Sequence, residues 1–228
     1  MSLALIQDRV AAILERLRAL RPDGGVRLMV AAKGQSREAV EAALAAGAHL
    51  VGENRVQEAR AKWSEKPHQE LHLIGHLQTN KARAAVELFD AIDSVDSDRI
   101  AQALDQRLAR PLPVMVEVNA GREAAKTGLW PEAVAPFLAG AGRYLHLQFV
   151  GLMAMLPAPR DQSLAEAERI RRLMQETAEL WRTCRAEGWP WAPLAELSMG
   201  MSSDWEWAVE AGATMIRIGT GIFGPRRE

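Results

Sequence analysis

The 228-residue chain holds one cysteine, Cys184, and one tyrosine, Tyr144. A lone cysteine excludes an intramolecular disulfide and any zinc site built on several thiolates. The tyrosine shortage matters because several cofactor chemistries need a phenolic acid or base. No charge of either sign dominates: 28 basic against 29 acidic residues leave a net charge of -1. With both signs spread along the chain, a nucleic-acid wrapper or a polybasic membrane binder is not expected. The longest apolar run, around Phe149 to Leu156, is about half of what a membrane helix requires. Met1 to Arg21 carries Asp8, Glu15 and several arginines at helical spacing instead of the apolar centre of a signal peptide, so a cytoplasmic location is expected. His49, His68, His72 and His146 show no metal-ligand spacing such as H-E-x-x-H, and no metal is expected.

What is present is an alternation of short apolar strands and amphipathic helices, with no low-complexity segment and no Ser/Gly linker. Length alone, at about 150 residues per domain, does not separate one large domain from two small ones. Strands are predicted over Leu28 to Lys33, His49 to Asn54, Glu70 to Gly75 and Ala91 to Val95. The series continues with Pro113 to Asn119, Leu145 to Met155, Glu196 to Gly200 and Met215 to Gly219. Helical patterns fall over Arg37 to Ala46, Val56 to Trp63, Asn80 to Leu88 and Arg99 to Leu108. The longest, Leu164 to Glu187, repeats apolar residues from Leu164 through Ile170, Met174 and Trp181 to Cys184 as one buried stripe. Ser163 and Glu166 form a capping-box pattern at its start. Pro131 suits a first helical turn, and Gly47, Gly188 and Gly212 suit helix stops. The fold class is therefore α/β: a single (β/α)8 TIM-type barrel spanning residues 1–228, with Leu3 to Leu20 as an extra N-terminal helix. An open doubly wound sheet is the alternative, disfavoured because no G-x-G-x-x-G follows the first strand.

In such a barrel, functional residues gather at the C-terminal ends of the strands. The first strand ends in Lys33. Burying an ammonium there is costly, and covalent use as a Schiff-base nucleophile is one escape; snorkelling to water at the loop mouth is the plainer one. Arg217 lies in the last strand, on the same face as Met215 and Gly219. It would either meet a ligand or pair with a buried carboxylate such as Glu117 or Glu196. Gly219-Thr220-Gly221 would let backbone N–H groups approach an anion, with Ser198 adding a hydroxyl, although such a sequence is more often a tight turn. His76 reads as a residue at a helix start bonded to local backbone unless other context recruits it. Met153 and Met155 read as core packing, and the tryptophans as helix-to-barrel packing, with Trp189-Pro190-Trp191 an optional exposed patch. A lysine, an anion cradle and a buried arginine at one rim suit an aldehyde-bearing phosphorylated cofactor, and pyridoxal 5'-phosphate (PLP) fits best. A Schiff-base aldolase acting on a sugar phosphate would use similar groups, but its lysine usually lies later in the barrel.

The segments Gly52-Glu53-Asn54-Arg55-Val56-Gln57-Glu58, His72 through Lys81 and Ser94-Val95-Asp96-Ser97 resemble the pyridoxal phosphate homeostasis protein family. So do Gly151 through Met155, Leu197 through Ser202, and Ile216 through Thr220 with Phe223-Gly224. The resemblance implies a barrel like the N-terminal domain of alanine racemase, with PLP bound to Lys33. By position, Ser198, Gly219 and Thr220 would hold the phosphate, Arg217 would face the pyridine nitrogen, and Asn54 and His76 would line the ring. It further implies PLP buffering and delivery to PLP-dependent apoenzymes, without robust catalysis. Two departures stand out: Gly34-Gln35-Ser36 replaces a basic residue and a proline, and Asp93 replaces a histidine. Neither departure is expected to touch the cofactor core. An arginine at the pyridine nitrogen makes the ring a poor electron sink. Tyr144, at the start of the sixth strand, is at the wrong end to serve as the second base of a small amino-acid racemase, the alternative activity. A monomer is expected, since no long apolar patch demands a partner.

Overall fold

The structure, a computed structural model, describes residues 1–157 and 159–225. Eight parallel strands close into a barrel in chain order, β1 pairing with both β2 and β8. They are β1 (Arg27–Ala31), β2 (Leu50–Glu53), β3 (Glu70–Leu73), β4 (Ala91–Val95), β5 (Leu112–Asn119), β6 (Leu147–Met155), β7 (Glu196–Ser198) and β8 (Met215–Ile218).

Alternation along each strand separates two cores. Leu28, Val30, Val51, Leu71, Leu73, Val114, Val116, Ile216 and Ile218 face the surrounding helices. Met29, Leu50, Met115, Met153 and Met215 fill the barrel interior, with Met155 packed above them. Unbranched, adaptable methionine suits that tapering space, and the packing expected of Met153 and Met155 is observed.

The helices are α1 (Leu3–Leu20), α2 (Arg37–Ala45), α3 (Val56–Lys62), α4 (Ala82–Leu88), α5 (Asp98–Asp105), α6 (Pro131–Gly140), α7 (Leu164–Ala186), α8 (Trp205–Ala211) and α9 (Thr220–Phe223). Gly47, Gly188 and Gly212 all take positive φ where helices stop. Pro131 occupies the first turn of α6. Within α7, Ile170, Met174, Thr177, Trp181 and Cys184 are buried, but the stripe does not begin at Leu164, which is exposed. Only half of the capping box forms. Ser163 accepts from the Glu166 amide at 3.2 Å, while the Glu166 carboxylate turns to the Arg160 amide and the Arg169 guanidinium.

Several strands end one or two residues before the predicted limits because their last residues leave the ladder as rim turns. Lys33 lies beyond β1, in a turn where Gln35 N–H donates to Ala32 O at 3.1 Å. Predicted helix Asn80 to Leu88 opens as a 3-10 turn over Thr79–Lys81 before α4 begins. Trp189 and Trp191 pack on the helix-facing core, and Trp191 Nε1–H donates to Leu138 O at 2.9 Å, so they are packing residues and not a patch. Among the described residues, no helix is long and apolar enough to cross a membrane.

Candidate functional site

The mouth at the C-terminal strand ends brings several expected residues together. Ala31, Lys33, Gln35, Asn54, Gly219 and Thr220 line one cleft of about 50 Å³. Lys33 also borders a wider cleft of about 670 Å³ that runs past Arg9, Phe223 and the start of α1. Asn54 is shared with a third cleft, of about 430 Å³, lined by Arg55, His76, Gln78 and Lys81. His76 is therefore one cleft removed from Lys33. Gly75 keeps these two strand ends close, since a Cβ there would collide with the Asn54 backbone.

Lys33 is half-buried and makes no ion pair or side-chain hydrogen bond among the described residues. The backbone before it is anchored. Lys62 Nζ, on α3, donates to Ala32 O at 2.7 Å and to Glu53 Oε1 at 2.8 Å. Trp63 Nε1–H donates to the same carboxylate oxygen at 3.0 Å. Glu53 is fully buried, so this cluster ties the ends of β1 and β2 to α3.

Arg217 is buried and points into the barrel. Its Nη1 donates to Ser198 O at 2.9 Å and Ser198 Oγ at 2.7 Å, and its Nη2 to Ala154 O at 2.9 Å. The expected carboxylate pairing does not occur. Glu196 is engaged by Arg27 at 2.9 Å and Thr214 at 2.8 Å, and Glu117 by Thr127 at 2.7 Å. Burial pushes the Arg217 guanidinium below its ordinary pKa, opposed by the charges of Asp93, Asp204 and Glu117.

Ser198 is fully buried and its hydroxyl is committed to Arg217, below the glycine turn it was expected to join. The hydroxyl beside that turn is Ser202, whose Oγ accepts from Gly221 N–H at 2.9 Å. Gly200 permits this: it has φ of 90°, and a Cβ there would lie 2.5 Å from Ala208 Cβ. Ser202 was missed by residue-by-residue reading, although the spacing Ser-Met-Gly-Met-Ser carried the signal. His76 bonds a side chain and not local backbone, its Nδ1 lying 3.0 Å from Asp96 Oδ2.

The departure at Asp93 proves relevant to the site. Asp93 is fully buried in the barrel, 3.0 Å from His72 Nδ1, and its charge acts on Arg217. Burial disfavours the His72 imidazolium, but Asp93 and then Glu70 more than reverse this, raising its pKa to about 9. The hydrogen bond from His72 is the main cause holding Glu70 down to about 2. Tyr144 lies just ahead of β6 in the helix-facing core, and its hydroxyl donates to Asp98 Oδ1, at the start of α5, at 2.7 Å.

A half-buried amine without a partner among the described residues, a small-residue turn with a hydroxyl, and a buried guanidinium met by neutral oxygens and the Met155 thioether thus share one end of the barrel. That set suits an anionic aldehyde.

The family model for the alanine racemase N-terminal domain matches residues 5–227. This defines the class: an alanine racemase-type barrel. The pyridoxal phosphate homeostasis protein of Pseudomonas aeruginosa is 38% identical over 235 residues, covering 98% of this chain and 97% of its own length. The chain belongs to the pyridoxal phosphate homeostasis protein family. Among solved structures, PipY of Synechococcus elongatus without PLP is 38% identical, with a TM-score of 0.82 over 96% of this chain and 100% of PipY. PipY with PLP bound gives 0.79 over 94% and 100%. Alanine racemase from Corynebacterium glutamicum shares the fold alone, with 18% identity and a TM-score of 0.74 over 98% of this chain and 62% of the racemase.

Proposed function

We propose that this chain binds PLP at the barrel mouth, keeps the free aldehyde low and hands it to PLP-dependent apoenzymes. On this reading it works as a cytoplasmic monomer on a single barrel spanning residues 1–228, without robust turnover of its own. The observation that carries the proposal is the pairing of an uncommitted Lys33 with a guanidinium, Arg217, that is buried without a carboxylate partner. A buried cation answered by carbonyls, a hydroxyl and a thioether, all uncharged, favours an electron-rich ligand atom nearby.

When bound, PLP supplies an aldehyde that condenses with an amine. Lys33 Nζ is the amine, on a backbone that Lys62 anchors at Ala32 O. Gly219, Thr220 and Ser202 hold the phosphate, Ser202 already fixed by Gly221. Ser198 positions Arg217, which donates toward the pyridine nitrogen and keeps it unprotonated, while Asn54 and His76 line the ring. An unprotonated ring nitrogen is a weak electron sink, which favours holding over reacting.

The test is mass spectrometry after PLP and borohydride treatment. Wild type is expected to carry a pyridoxyl group on Lys33 and Lys33→Ala to carry none; an equal adduct on both would sink the assignment. The racemase alternative requires alanine racemisation by the loaded protein faster than with free PLP. The placement of Tyr144 in the helix-facing core, with its hydroxyl committed to Asp98, weighs against it.

A further inference from the structure

Glu117 is left without a role by the preceding reading. It lies on β5, four strands round the closed barrel from β1, and so across the mouth from Lys33. Strand parity turns it inward: its parity mate Met115 belongs to the interior cluster, while Val116 and Val118 face the helices. Its side chain is 3% exposed. One oxygen, Oε1, accepts from the Thr127 hydroxyl at 2.7 Å, and Oε2 has no hydrogen-bond partner among the described residues. An orphaned oxygen in a buried carboxyl is costly, about 1–3 kcal/mol, unless a ligand or a proton satisfies it.

The groups acting on Glu117 come from every side of the mouth. His76 stands beyond β3, Asp96 beyond β4 and Arg217 on β8. Its partner in register on β6 is the uncharged Met153, and the loop after β5 presents Thr127. Asp96 is itself engaged by His76, and Arg217 by Ser198 and Ala154. Glu117 therefore points into the barrel without a committed cation among the described residues. Burial is the largest influence on it and favours its neutral form.

We propose that Glu117 is a ligand-binding residue of the mouth, a neutral carboxyl that donates from Oε2 to the bound pyridoxyl group. This rests on the proposed PLP binding and adds to it a second titratable contact. It makes release pH-sensitive: ionisation of Glu117 removes the donor and sets a negative charge against an electron-rich ligand.

The probe is pyridoxine 5'-phosphate, which lacks the aldehyde and cannot condense with Lys33. Its affinity is measured by calorimetry between pH 6.5 and 9 for wild type, Glu117→Gln and Glu117→Ala, with thermal midpoints recorded for each. The ligand's own phosphate and ring nitrogen titrate in this window with every protein, so the readout is the ratio of wild-type to Glu117→Gln affinity. Glu117→Gln keeps a donor but cannot ionise, and wild-type affinity is expected to fall relative to it as pH rises. Glu117→Ala is expected to bind about tenfold more weakly at pH 6.5. A Glu117→Gln profile parallel to that of wild type, or an unweakened Glu117→Ala, overturns the inference. Absence of pyridoxine 5'-phosphate binding by all three proteins, with no borohydride-fixed PLP on wild type, instead overturns the binding proposal beneath it.

Discussion

The two ends of the barrel are made from the same strands and treat the cations that point into it in opposite ways. Toward the N-terminal end, Arg27 bridges Glu70 and Glu196, each at 2.9 Å, and His72 sits between Glu70 and Asp93. Cations there meet carboxylates. Toward the C-terminal end, Lys33 has no ion-pair partner among the described residues, Arg217 meets carbonyls and a hydroxyl, and Glu117 keeps one oxygen unpaired. Removing one member of a buried pair leaves the other as an uncompensated charge, so the paired end bears on stability. Groups held unsatisfied are a local cost that a ligand can relieve, so the other end bears on binding.

Substitutions at the two ends should therefore separate binding from stability. The largest expected effect is at the mouth: Lys33→Ala abolishes borohydride-fixed PLP while moving the thermal midpoint little, because Lys33 makes no side-chain hydrogen bond. A large drop in that midpoint would erase the distinction. Asp93→Asn, at the paired end, should cost about 3 kcal/mol by weakening the compensation of a buried imidazolium. Its pH signature has a definite sign. His72 has a folded pKa of about 9, above its ordinary value of 6.5. Its contribution is fully present below about 6.5 and is lost as pH rises through about 9. Urea unfolding at pH 6, 8 and 9.5 should show that decline in wild type and a flatter, lower curve in Asp93→Asn.

Lys62→Met tests the join between the two behaviours. It removes the donor on Ala32 O and strips Glu53 of its cation. We expect about 2 kcal/mol of destabilisation and a severalfold slower trapping of PLP on Lys33. Adding Glu53→Gln should restore stability more than trapping rate; equal restoration of both would make the cluster purely structural. The smallest effect is expected for Tyr144→Phe, about 0.5–1 kcal/mol from the part-buried hydrogen bonds its hydroxyl makes with Asp98 and Arg143, with PLP fixation unchanged. Impaired fixation would contradict its place in the helix-facing core, outside the strand ring.

Much of the fold was legible because the signals were local. The limits of β4 and α1 match the predicted ranges, since Ala91 to Val95 is a short buried run and Ser2 caps α1 by accepting from Leu5 N–H. Parity along β8 put Arg217 inside with Met215. Lys33 stood out as an amine at the end of an apolar strand. Ser202 and Asp96 did not stand out, and Glu117 did so only as a possible partner of Arg217, because each gains its place from a partner on another strand or loop: Gly221, His76 and Thr127. The expected partner for Arg217 was misjudged for the same reason. Glu196 is on the correct face, but lower in the barrel, where Arg27 reaches it first.

The sequence by itself determined the alternation of strands and helices, the inward and outward faces, and the lysine at one rim. These follow from periodicity and from the cost of burying charge. Tertiary structure alone decided which charges are answered and which are left open. Barrel closure sets Glu117 across from Lys33 and Asp93 against His72. A carboxylate's role depends on whether a cation lies within a few ångströms, a distance that chain separation does not encode.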